Sequence, residues 1–162
     1  MATEILPDLV KMIQDAFAEV PYPGDKSIGR YEVEIIIGKR HPDITIGIIN
    51  SIRSELPFFY AEGFHYYLPD FLIAVILHAN DLDTFPESLV DTLAPGFFGE
   101  LSTLLRELVV LMTNPQKKAV YEFLKKFTVL YPSGTWNSPW QYYKAVLDNA
   151  IAFWYEQVNV KE

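Results

Sequence analysis

Glu62 and His65 stand three residues apart, the Glu-x-x-His spacing that puts a carboxylate and an imidazole on one helix face in carboxylate-bridged metal bundles. A centre of that kind needs a second such pair, and the chain contains no other Glu-x-x-His. The pair therefore reads as a helical carboxylate beside a half-buried histidine bonded to a neighbour. His78, followed by Asp81 and Asp83, reads as a helix end leading into solvated acids. Nucleophilic catalysis needs a hydroxyl held beside a base, and Ser133-Gly134-Thr135 has no histidine near it in sequence. Tyr22-Pro23-Gly24-Asp25 has one glycine and a carboxylate that would repel a phosphate, so it reads as a structural turn. These residues predict no catalytic group, no metal and no cofactor.

Most of the candidate groups depend on one stretch, Glu62 to Ala79, EGFHYYLPDFLIAVILHA. Phe71 to Leu77 is apolar without interruption, and a helix that is hydrophobic all round must be buried all round. A central helix over 69–79 follows. Ala61, Phe64, His65, Leu68, Leu72, Val75, Ile76 and Ala79 share one stripe of period 3.6. Pro69 lacks an N–H, and its ring clashes with the carbonyl of His65, which predicts a kink or break between Leu68 and Asp70. Such a break would start a new helix with Asp70 at its positive end and gather Glu62, His65, Tyr66 and Asp70 around freed backbone groups.

The flanking elements follow from similar signals. Ile5, Leu9, Met12, Ile13, Ala16, Phe17 and Val20 form the stripe of a first helix opening at Pro7-Asp8, and Pro23-Gly24 suits the centre of a type II turn. Residues 31–48 are open to two readings: their alternation around Gly38 to Asp43 slightly favours a small hairpin, while a helical reading uses Gly38 as a stop and Pro42-Asp43 as a restart. Thr84 and Glu87 have capping-box spacing for a helix through Leu93, and Leu101 to Met112 carry another stripe. Thr113-Asn114-Pro115 starts a helix that buries Ala119 to Leu130. Ser138-Pro139 starts the last, with Tyr143, Val146, Leu147, Ala150, Ile151, Trp154 and Val158 inward.

The chain of 162 residues suits a single all-α domain, a multi-helix bundle over 1–162. Its longest apolar run is far short of the roughly 20 residues a membrane helix needs. The start MATEILPDLV has no basic region ahead of an apolar one, so no secretory signal and no membrane partner are expected. The absence of cysteine excludes disulfides and thiolate metal sites and is compatible with the cytoplasm. A net charge of −8 argues against nucleic acid, which is bound by clustered Lys and Arg, and leaves a basic protein as the easier partner.

Phe17-Ala-Glu-Val-Pro-Tyr-Pro-Gly-Asp25, then Gly38-Lys39, then Pro57-Phe58-Phe59 running into Glu62-Gly-Phe-His-Tyr-Tyr-Leu-Pro-Asp-Phe71, resembles a family of small bacterial proteins. That family carries a Tyr-Pro-Gly-Asp turn after its first helix and a Pro-Glu-x-Phe-Arg-Tyr-Tyr-Leu-Pro element. The likeness runs from about Leu9 to Leu130; it implies a helical fold and brings no established activity. This chain has Tyr60-Ala61 where the family has a capping Ser or Thr followed by Pro, His65 in place of an arginine, and Asp70 in place of a small residue.

The binding candidates are Tyr22, Asp25, Glu62, His65, Tyr66, Tyr67, Asp70, Trp136 and Trp140. The last helix cannot bury Trp140, Tyr142, Tyr143, Phe153, Trp154 and Tyr155 on one side, and aromatic groups left at a surface favour binding. The expectation is a non-enzymatic interaction module of the bacterial cytoplasm, one version being an immunity-like antidote to a basic partner. The alternative is a small-ligand protein or enzyme with a pocket at Glu62, His65, Tyr66 and Asp70.

Overall fold

A computed structural model describes the chain over residues 2–131 and 140–159. Its helices are α1 (Ala2–Phe17), α2 (Ile46–Ser51), α3 (Ala61–His78), α4 (Phe85–Thr92), α5 (Thr103–Leu111), α6 (Asn114–Leu130) and α7 (Trp140–Asn159). The architecture is all-α, as the periodicity predicts. α3 packs against α1, α2, α5 and α6, while α7 lies on α4 and α6.

The central position of α3 follows from its lack of a polar side. Phe64, Tyr67, Leu68, Phe71, Leu72 and Val75 are completely buried on several faces of one helix. Leu77 departs from the expectation, with 55% exposure at the helix end. Neither does the chain break at Pro69, which sits inside a continuous helix. An interior proline costs about 3 kcal/mol, and each large apolar side chain buried around it returns roughly 1.5–3 kcal/mol, so packing decides. Asp70 is therefore mid-helix and does not cap a new one.

The N-terminus of α3 is crossed by an extended segment. Gly29 pairs antiparallel with Phe59, Arg30 N–H donates to Phe58 O at 2.9 Å, and Tyr60 N–H donates to Ile28 O at 3.0 Å. The backbone comes so close that a Cβ on Gly63 would lie 2.5 Å from Ile28 Cα. Only glycine fits there. Tyr60 is the N-cap and makes no side-chain capping bond, in keeping with the missing Ser or Thr.

The hairpin expected over 31–48 is not formed. Tyr31–Val33 and His41–Asp43 are single 3-10 turns, Gly38 reverses the chain at φ 87°, and Thr45 caps α2 through Ile48 N. The alternation misled because Val33 and Ile36, which touch the core at step three, are buried while Ile35 is 44% exposed. Gly24 has the expected positive φ, but its ψ of 151° extends the chain into the next turn, unlike a type II centre.

Other local readings shift. α1 begins at Ala2 with Pro7 inside it, and the side chain of Ile5 lies outside the described residues, as does the Ser138-Pro139 start. Thr84 makes no capping bond; its expected partner Glu87 is buried and accepts from the Tyr131 hydroxyl at 3.2 Å. The cap of α6 is a complete box between Thr113 and Gln116. On α7, Val146, Leu147, Ala150 and Trp154 are buried as predicted, and Trp154 Nε1–H donates to Leu93 O at 2.8 Å.

Candidate functional site

The continuous α3 divides the predicted residues between two faces. Glu62 and His65 turn toward α5 and α6; Tyr66, Tyr67 and Asp70 turn toward the 3-10 turns of residues 22–43.

On the first face, His65 Nε2–H donates to Gln116 Oε1 at 2.8 Å, and the ring meets Phe17 edge-on. Gln116 is almost fully buried and joins three helices: its Nε2 donates to Ala16 O at 3.0 Å, and its Oε1 also accepts Thr113 N–H at 3.0 Å. The histidine is thus bonded within the framework. Glu62 is exposed in the first turn of α3, between cavities of about 440 and 330 Å³ that share Glu62 and Leu111 as walls. Tyr66 and Asp70 line neither cavity. Among the described residues, no group of three or more histidines and acids could hold a metal ion.

The second face is built on aromatic rings. Tyr67 is fully buried, and its hydroxyl reaches Lys39 O at 2.7 Å and Ile36 O at 2.9 Å, tying the Gly38 reversal to α3. Burial raises its pKa well above the ordinary tyrosine value, so it stays a donor. Tyr22 fixes the same reversal from outside: Gly38 N–H donates to its hydroxyl oxygen at 2.7 Å, and that hydroxyl donates to Asp25 Oδ1 at 2.6 Å. The Tyr22 and Tyr66 rings meet edge to face at 5.3 Å.

Two residues that sequence reading passed over complete this face. His41 stacks on Tyr66 with ring centroids 4.1 Å apart, and its Nδ1 lies 2.6 Å from Asp70 Oδ2. Arg40 places its guanidinium carbon 3.5 Å from the centre of the Tyr22 ring. Burial raises the Asp70 carboxyl above its ordinary range, and the His41 hydrogen bond and charge oppose that rise. The available sequence signal is Lys39-Arg40-His41 itself, three consecutive nitrogen-bearing side chains in an acidic chain.

A third feature lies across the molecule, in the loop from α4 to α5. Phe98 is 99% exposed and Phe97 is 59% exposed, with Phe97 edge-on to Tyr142 of α7 at 5.9 Å. The loop is held from inside and behind: Gly96 N–H donates to Glu100 O and Gly99 N–H to Gly96 O, both at 2.9 Å, and Asn149 Nδ2 donates to Pro95 O at 2.8 Å. Gly99 supplies a φ of 82°. Cavities of about 500 and 350 Å³ flank it, and every charged residue lining them is an acid: Asp91 and Glu100 on one side, Glu156 on the other. Phe97-Phe98 between two glycines was the available sequence cue. Of the aromatic candidates, Trp136 lies outside the described residues, and Trp140 enters only as the first residue of α7.

Residues 37–158, well over half of the chain, match the sequence model of a single family. The chain belongs to DUF6714, a family of unknown function. The DUF6714 match takes in α3, Arg40, His41 and the Phe97–Phe98 loop; it begins after the Tyr22–Asp25 turn. No curated protein and no solved structure matches the chain. None of the helices described is long and apolar enough to cross a membrane.

Proposed function

We propose that this DUF6714 member is a non-enzymatic docking protein of the bacterial cytoplasm that binds a basic, apolar segment of a partner protein. The observation that carries this reading is Phe98, an apolar side chain 99% exposed on a backbone fixed by hydrogen bonds from within the loop and from α7. A loop backbone already fixed has little ordering left to lose on binding, and a large exposed ring is a common interface anchor. The acids Asp91, Glu100 and Glu156 lining the cavities that flank its loop, and a net charge of −8, favour a cationic partner over an acidic one. An antidote to a basic protein is one version. The reading of a single pocket at Glu62, His65, Tyr66 and Asp70 has less support, because those groups lie on two faces.

The test uses two labelled amphipathic peptides of equal length, one of alternating Lys and Leu blocks and one with Glu in place of Lys. Fluorescence anisotropy at physiological salt should give saturable binding for the lysine peptide alone, with chemical-shift changes centred on 95–101. Equal binding of both peptides, or changes centred elsewhere, would refute the proposal.

A further inference from the structure

We infer that Arg40 and His41 form a separate binding site for a small monocarboxylate, independent of the docking surface proposed above. Two adjacent planar nitrogen groups each lie against a tyrosine ring. The Arg40 guanidinium carbon lies 3.5 Å above Tyr22, the His41 ring lies 4.1 Å from Tyr66 at an interplanar angle of 23°, and the two tyrosines lock edge to face. Tyr22 is further pinned by Gly38 and Asp25, and Tyr66 is buried in α3. A flexible arginine is thereby held against the Tyr22 ring while the residue remains exposed to solvent.

The neighbouring charges select the ligand. Asp70 engages His41 Nδ1, leaving Nε2 of a half-exposed ring as the outward nitrogen. Among the described residues Arg40 has no carboxylate partner at ion-pair distance. An arginine fork and an outward imidazole N–H match the two oxygens of a carboxylate. Asp25, Asp43 and Asp70 are all close in sequence or space to these donors, so a dianion such as sulfate is repelled more than a monoanion.

The chain has three histidines, His41, His65 and His78, which supply internal controls. Imidazole NMR signals of the full chain are followed during addition of sodium benzoate at constant ionic strength near pH 6. The expected result is a saturable shift of His41 alone, at least tenfold weaker in Arg40→Gln, with sulfate binding less tightly than benzoate. An unmoved His41, an Arg40→Gln variant that titrates like the parent, parallel shifts of all three histidines, or sulfate binding as tightly as benzoate would each overturn the inference. Loss of peptide docking would leave this result untouched, so the two proposals fail separately.

Discussion

Replacing Gly63 with alanine tests whether the 28–30 segment is seated against α3. An unhindered helical glycine-to-alanine change stabilises by about 1 kcal/mol. At Gly63 the added methyl would meet the carbonyl oxygen and Cα of Ile28, which are backbone atoms with no rotamer to change. The segment must move, and with it go the hydrogen bonds between Tyr60 and Ile28 and between Arg30 and Phe58, each worth about 1 kcal/mol. Crowding of the packed layer adds about 1–3 kcal/mol. The expected net loss is about 2–4 kcal/mol, a fall in Tm of roughly 5–15 °C for a chain of this size. Gly47→Ala is the control: its Cβ would meet only Thr45 Oγ1 at 3.8 Å, within helix α2, so it should be neutral or stabilising by up to about 1 kcal/mol. Thermal and urea unfolding read both. A Gly63→Ala variant as stable as the parent would show that the reasoning about the crossing is wrong.

Other consequences concern the aromatic face. Tyr67→Phe should cost about 1–3 kcal/mol in urea unfolding, because the Ile36 and Lys39 carbonyls lose their buried donor while the ring volume is retained. Asp70 has a folded pKa raised by burial, so the folded state holds its proton more tightly than the unfolded chain does. Its favourable contribution is complete below the model value of 3.8 and is lost as pH rises through the higher folded value. The parent should therefore lose stability relative to Asp70→Asn across that acidic window. Urea midpoints measured at several acidic pH values should show this difference; parallel curves would contradict it.

The central helix was readable because Phe71 to Leu77 has no polar member, which says where it lies without needing a partner, although Leu77 at its end is exposed. The capping chemistry at Thr113 was equally local. What escaped was set by tertiary contacts. Pro69 looked like a break because local strain is visible in sequence, whereas the packing that outweighs it is not. Residues 31–48 alternate like strands, yet Tyr67 holds the carbonyls of Ile36 and Lys39 from 28 or more positions away and fixes a turn. The candidate site shows the same division. Tyr22 and Asp25 were found through their turn and Tyr66 and Asp70 through their helix, but His41 acquires meaning only through its 2.6 Å contact with Asp70. Phe98 was passed over because exposure is not a property of sequence.

The docking account stands most directly on Phe98→Ala, measured for affinity and stability together. A side chain that is 99% exposed adds little to folding, so the Tm should hold within about 0.5 kcal/mol of stability, while the lysine-leucine peptide should bind at least tenfold more weakly. Unchanged affinity would contradict the account, as would a loss of stability near the 3–5 kcal/mol of a core phenylalanine.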